Sequence, residues 1–281
     1  MIFHSRNLFW ALVLFILSFL SSCSILPPRE RKVLADSIAE ASHFSPKMEK
    51  GGRFSLYTYQ KISDPKAPIA IYIEGDGFIV YRDYISNDPT PVHPMLIRLA
   101  AMDDRPNVVY IARPCQYTIK ENLGVCNSGY WTGKRMSEDS VEAVDDVIRK
   151  IAQNRKIDLI GFSGGGGIAV LVAARNHNVR SMITIAGNLD HVAFNKYHKT
   201  TPMAESLNPI DYVSSVRNIP QLHLSGTNDK AVPPFISENF EKAANSVCVH
   251  REVFPGFTHS KGWDSVWKSI ISKEVNCRKG R

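Results

Sequence analysis

The sequence predicts an α/β fold, a mostly parallel sheet of about 7–8 strands with helices on both faces and a small cap or none. Three observations carry this. The candidate strands are short continuous apolar runs, as in a sheet buried on both sides, rather than alternating ones. They alternate with segments of helical periodicity, the clearest being Val141, Val144, Val147, Ile148 and Ile151. The chain has 281 residues, 44% of them hydrophobic, with no internal repeat and no second domain in the pattern, which suits one large core.

Taken in order, residues 1–22 hold one formal charge, Arg6, ahead of an apolar run from Leu8 to Leu20. That run suits the core of a signal peptide and is short for a membrane span. Residues 23–50 read as a tether with a short helix around Arg31 to Ser42, and 51–281 as the folded domain. Arg53 to Gln60 is an early strand. Pro68 to Ile73 is a second, ending at Glu74-Gly75-Asp76-Gly77. A proline-rich patch, Asp88-Pro89-Thr90-Pro91, leads to a helix from Pro94 to Met102 and a strand from Asn107 to Ala112. Ser137 to Gln153 is a helix, Lys156 to Ile160 a strand and Ile168 to Arg175 a helix. Met182 to Ala186, Gln221 to Leu224 and Val247 to Val253 are further strands, and Trp263 to Ser272 is the last helix.

The end of the leader, Leu20-Ser21-Ser22-Cys23, resembles the lipobox of bacterial lipoproteins. The resemblance implies cleavage before Cys23, lipidation such as palmitate on that cysteine, and a membrane-anchored envelope protein. Ser24 in place of aspartate implies the outer membrane, facing the periplasm. Loss of Arg6 takes the formal charge from +7 to +6. Lys and Arg are scattered, which suits a solvated surface near anionic lipid and carries no nucleic-acid motif. Cys115, Cys126, Cys248 and Cys277 remain, an even number in an exported chain. Three pairings are open, and proximity favours Cys115–Cys126 and Cys248–Cys277. Zinc is the rival reading, without CxxC or HxxxH spacing to support it.

The chemistry centres on Leu159-Ile160-Gly161-Phe162-Ser163-Gly164-Gly165. An apolar strand, a Gly-x-Ser-x-Gly turn and an apolar helix make a nucleophile elbow, with glycines where helix and strand approach closely. A serine hydroxyl needs a base, and an imidazole base needs a carboxylate. Asp229 follows the strand ending at Leu224, and His259 follows a Pro-Gly turn after Val253. Strand-end loops of an open parallel sheet converge, so residues 163, 229 and 259 can meet. The chain resembles the α/β-hydrolase superfamily at these positions. It is similar in particular to bacterial members with an Ile-Glu-Gly-Asp-Gly loop (here 73–77) and an Ala-Arg-Pro-Cys-Gln-Tyr loop (here 112–117).

The resemblance implies Ser163 as nucleophile, Asp229 as acid and His259 as base, with Asp190 as alternative acid. Backbone N–H groups of Gly164 and Asp76 would hold the oxyanion. The Asp76 side chain is expected to turn away and bond within its own loop. Arg113 would pair with Glu74 or Asp76 and hold the loops, or grip an anionic part of the substrate. Trp131, Phe78 and Tyr81 would form an apolar wall or pack a loop. The expected activity is a carboxylesterase-like serine hydrolase working through an acyl-enzyme on a small-molecule or lipid-like ester. Amides and thioesters, an acyltransferase, and an inert binding lipoprotein are the alternatives. No cofactor, metal or nucleic-acid partner is implied, and a monomer is expected.

Overall fold

The computed structural model describes residues 25–277 apart from Arg82. The predicted leader and Cys23 lie outside the described residues. The elements are α1 (Pro28–Ala41), β1 (Ser45–Gly51), β2 (Phe54–Ile62), β3 (Ile69–Ile73), β4 (Val80–Tyr81), β5 (Tyr84–Ile85), α2 (Met95–Ala101), β6 (Asn107–Ile111), α3 (Glu138–Ala152), β7 (Ile157–Phe162), α4 (Gly164–Ala173), β8 (Val179–Ile185), α5 (His191–His198), α6 (Val213–Val216), β9 (Gln221–Gly226), α7 (Phe235–Ala244), β10 (Val249–Phe254) and α8 (Trp263–Ile271). Eight strands form one sheet in the order β1-β2-β6-β3-β7-β8-β9-β10. β2 pairs antiparallel with both β1 and β6, and the six strands from β6 to β10 in that order are mutually parallel.

The apolar runs are explained by the two cores. Ile69, Ile71 and Ile73 of β3 enter the core shared with α3, α4 and α7, while Ala70 and Tyr72 enter the one shared with α1, α2 and α8. Both faces of the strand are buried, so no alternation survives in the sequence. The amphipathic α3 starts where the Ser137 side chain accepts the Ser140 N–H; Glu138 and Asp139 follow in its first turn, and Arg149 and Lys150 lie in its last.

Residues 28–50 correct the expected tether. Arg31, Ala35 and Ala39 of α1 are buried, and β1 pairs with β2 along its full length. The packed domain therefore starts near residue 28, not 51. A two-stranded hairpin, β4–β5, was also not foreseen. Both proposed cysteine pairs are disulfides, Cys115–Cys126 and Cys248–Cys277, which displaces the zinc reading.

Candidate active site

Three strand ends build the site. β7 ends at Phe162, and Ser163 turns the chain into α4 with φ 52° and ψ −122°. This region is sparsely populated for a residue with a Cβ, and such conformations cost on the order of 1–3 kcal/mol. The turn is held by Ser163 N–H donating to Ile185 O at 2.9 Å, and by Ser163 O accepting from Asn188 N–H at 2.9 Å. The helix returns so close to β3 that a Cβ on Gly165 would lie 2.2 Å from Ile73 O. Only glycine fits there.

Beyond β9, Asp229 is 4% exposed. Its Oδ1 accepts the N–H groups of Ala231 and Val232, each at 2.8 Å, and its Oδ2 lies 2.9 Å from His259 Nδ1. The turn-forming role and the imidazole contact are thus served by different oxygens of one carboxylate. Beyond β10, His259 is fixed by its carbonyl, which accepts the Trp263 indole N–H at 3.1 Å, and by its ring against Phe162 with centroids 4.9 Å apart. His259 Nε2 stands 3.1 Å from Ser163 Oγ. With Nδ1–H donating to the carboxylate, Nε2 is left as the acceptor for the hydroxyl proton. Asp190 lies elsewhere in the network. It caps α5 by accepting Ala193 N–H at 3.0 Å and faces Asn208.

Asp76 departs from expectation. Its carboxylate bonds outside its loop, 3.4 Å from Arg113 Nη1 and 3.4 Å from Arg135 Nε. It lies against Gly164, where a Cβ would approach Asp76 Oδ1 to 2.0 Å. A glycine after Ser163 is what makes room for it. No hydrogen bond among the described residues uses the N–H of Asp76 or of Gly164. Gly164 opens α4, where the helix dipole favours negative charge.

The loop after β3 is pinned from several sides. Gln116 Nε2 donates to Gly75 O at 2.8 Å, and Arg113 Nη2 donates to Arg135 O. Arg113 therefore fills its structural role. Glu74 Oε1 accepts Gly75 N–H at 2.7 Å, and Oε2 accepts the Tyr110 hydroxyl at 2.8 Å. Burial pushes the Glu74 carboxyl up to about 7, against the opposing pull of these two donors and Arg113.

A cavity of about 350 Å³ opens over Ser163 and His259, with Phe78, Ile79, Phe194 and Val232 among its apolar walls and Arg135 and Asn188 among its polar ones. Trp131 instead packs a loop, its indole N–H donating to Ser86 O at 3.0 Å. The side chain of Tyr81 is outside the described residues. Sequence reasoning missed Arg135, which stands between a 3-10 turn and the Ser137 cap without any local signal.

Comparison with known proteins bears on the fold and the family. No curated protein matches the sequence. Among solved structures, the chain is similar to the Pyrococcus furiosus esterase Pf2001, with TM-score 0.56, 14% identity, and 83% of this chain and 90% of that one covered. It is similar to the Pyrococcus horikoshii acylaminoacyl peptidase, with TM-score 0.58, 14% identity, and 82% of this chain and 41% of that one covered. A puromycin-hydrolyzing peptidase of Mycobacterium tuberculosis gives TM-score 0.56 and 16% identity over 82% of this chain and 38% of that one. The chain thus spans about two fifths of the length of these peptidases. At such identities the likeness establishes the α/β-hydrolase fold. Residues 112–256, just over half of the chain, match the family described as Serine hydrolase (FSH1). The protein belongs to this serine hydrolase family.

Proposed function

We propose that the protein is a carboxylesterase-like hydrolase of the bacterial envelope, anchored through a lipid on Cys23 to the outer membrane and facing the periplasm. Ser163 Oγ attacks the ester carbonyl carbon as His259 Nε2 takes its proton. The oxyanion is held by the N–H groups of Asp76 and Gly164. His259 then gives the proton to the leaving alkoxide, and the alcohol departs from an acyl-Ser163. A water molecule, deprotonated by the same nitrogen, attacks the acyl carbon and releases the acid with Ser163 restored. Asp229 keeps Nδ1–H toward itself and stabilises the imidazolium.

One observation carries this reading: the continuous chain Ser163 Oγ, His259, Asp229, with contacts of 3.1 and 2.9 Å, at the floor of an apolar cavity. The likeness to an esterase and to a peptidase supports acyl transfer to water. The test is labelling by a fluorophosphonate probe under native conditions. Labelling of the wild type that is lost in Ser163→Ala is the expected result. An unlabelled wild type supports the inert binding protein instead.

A further inference from the structure

The N-terminal helix and the active-site rim meet at one buried guanidinium. Arg31 is 5% exposed. Its Nε donates to Leu26 O at 2.6 Å and its Nη1 to Thr90 O at 3.0 Å, and its Cζ lies 4.7 Å from the centre of the Phe78 ring. Phe78 and Pro91 line the cavity over Ser163. The backbone at Leu26 is therefore held against the rim of that cavity. Cys23 is three residues earlier, so at full extension its backbone lies within about 11 Å of Leu26.

The same rim carries the hairpin β4–β5. Val80 and Ile85 are cross-strand partners, 50% and 52% exposed, and Tyr84 is 78% exposed. The base of the hairpin is secured, with Ser86 N–H donating to Ile79 O at 2.8 Å and the Trp131 indole donating to Ser86 O. A two-stranded hairpin with an uncovered apolar face is marginal in water and marks a contact surface. Leu26 and, at the start of α1, Val33 and Leu34 are exposed as well. These two segments hold six of the twelve exposed large hydrophobic residues among those described. Arg29, Lys120 and Lys32, the last paired with Asp36, line the adjoining groove with Asp88 and Glu121, on a chain whose formal charge is +6 once residues 1–22 are removed. That balance suits anionic headgroups.

We propose that Leu26, the start of α1 and the β4–β5 hairpin form a docking surface for an anionic phospholipid bilayer, laying the mouth of the Ser163 cavity on the lipid so that it takes acyl esters from the membrane. This rests on the anchored hydrolase reading above. A lipid on Cys23 leaves too little slack for the rim to stand away from the bilayer. Val80, Tyr84 and Ile85 then enter the boundary between headgroups and acyl chains, where tyrosine is favoured. Asp83 in the hairpin turn holds the tip at headgroup depth.

The test uses the full chain reconstituted in mixed phosphatidylethanolamine–phosphatidylglycerol vesicles. Two substrates are compared, soluble p-nitrophenyl butyrate and a long-chain umbelliferyl ester dissolved in the bilayer. Val80→Ser/Tyr84→Ser/Ile85→Ser is expected to keep butyrate turnover within about twofold and to lose about tenfold or more on the bilayer ester. Equal turnover of both by variant and wild type overturns the docking. A separate readout uses Tyr84→Trp, whose added fluorescence should be quenched by brominated lipid; quenching by aqueous iodide alone overturns the proposal even if the triple variant fails to fold. Burial of that tryptophan that rises with protein concentration without vesicles points to a second copy and overturns it too. Lipid quenching with neither ester turned over leaves the docking standing and removes the hydrolase reading; butyrate turnover with an iodide-exposed tryptophan does the reverse.

Discussion

Buried aspartates stand at both ends of the sheet, and their partners separate structure from chemistry. At the amino ends, Asp158 in β7 is 4% exposed, and its oxygens accept from Arg105, Arg180 and Ser181. Asp103 is tied to Arg105 and to the Tyr72 hydroxyl. Burial alone would raise the Asp103 carboxyl, but the bonds and charge of Arg105 hold it below its ordinary value. Each carboxylate there faces a permanent counter-charge. At the carboxyl ends, Asp229 is equally buried but faces an imidazole, which leads on to a hydroxyl in a cavity. A buried carboxylate is a clamp when its partners are arginines; under the proposed function the one beside His259 orients the imidazole and stabilises its charged form.

The largest expected effects break the carboxyl end alone. Ser163→Ala and His259→Ala should each lower ester kcat on the order of 10⁴-fold or more, with melting temperature nearly unchanged. Asp229→Asn keeps an oxygen for the Ala231 and Val232 N–H groups but presents the wrong partner to Nδ1–H, and should cost about 10³–10⁴-fold in kcat. The mirror experiment is Asp158→Ala, which removes the carboxylate that joins Arg105 and Arg180, while Arg105 keeps Asp103 and Arg180 is half exposed to water. It should lower stability by about 1–2 kcal/mol in a denaturant titration while kcat of the folded enzyme stays within about twofold.

Glu74 sharpens the contrast, because it is a buried carboxylate whose donors are an amide and a phenol, with no direct bond to an arginine. The folded chain keeps the Glu74 proton up to about 7, whereas the unfolded chain releases it near 4.5. Between these values the folded state binds more protons, so stability falls as pH rises and the penalty is complete above about 7. Wild type should therefore lose about 3 kcal/mol relative to Glu74→Gln across that window, read from denaturation midpoints at several pH values. A flat difference would mean that Glu74 is ionised throughout. A last effect concerns the loop that holds Gln116 and Arg113. Opening Cys115–Cys126 by Cys115→Ser/Cys126→Ser should cost about 2–3 kcal/mol, seen as a drop in melting temperature.

Much of the site was legible because its signals are local. The elbow reads as strand, glycine turn and helix, and Asp229 and His259 each follow an apolar run that could only be a strand. What was hidden is non-local or unpatterned. β1, Ser-Pro-Lys-Met-Glu-Lys-Gly, is a polar edge strand; its mostly exposed side chains leave no apolar signal, and it is defined by pairing with β2. Strands of two residues, as in β4–β5, are too short to show a period. The Asp76 carboxylate is expected in its own loop because a negative charge beside an oxyanion is unfavourable. It went instead to Arg113 and Arg135, 37 and 59 positions away in sequence, through the gap left by Gly164.

The most direct measurement is peptide mapping of the fluorophosphonate adduct by mass spectrometry on the native full chain. A single phosphonylated residue, Ser163, is expected, formed rapidly in the wild type and far more slowly in His259→Ala. An adduct on another side chain, or equal rates in the two proteins, would contradict it.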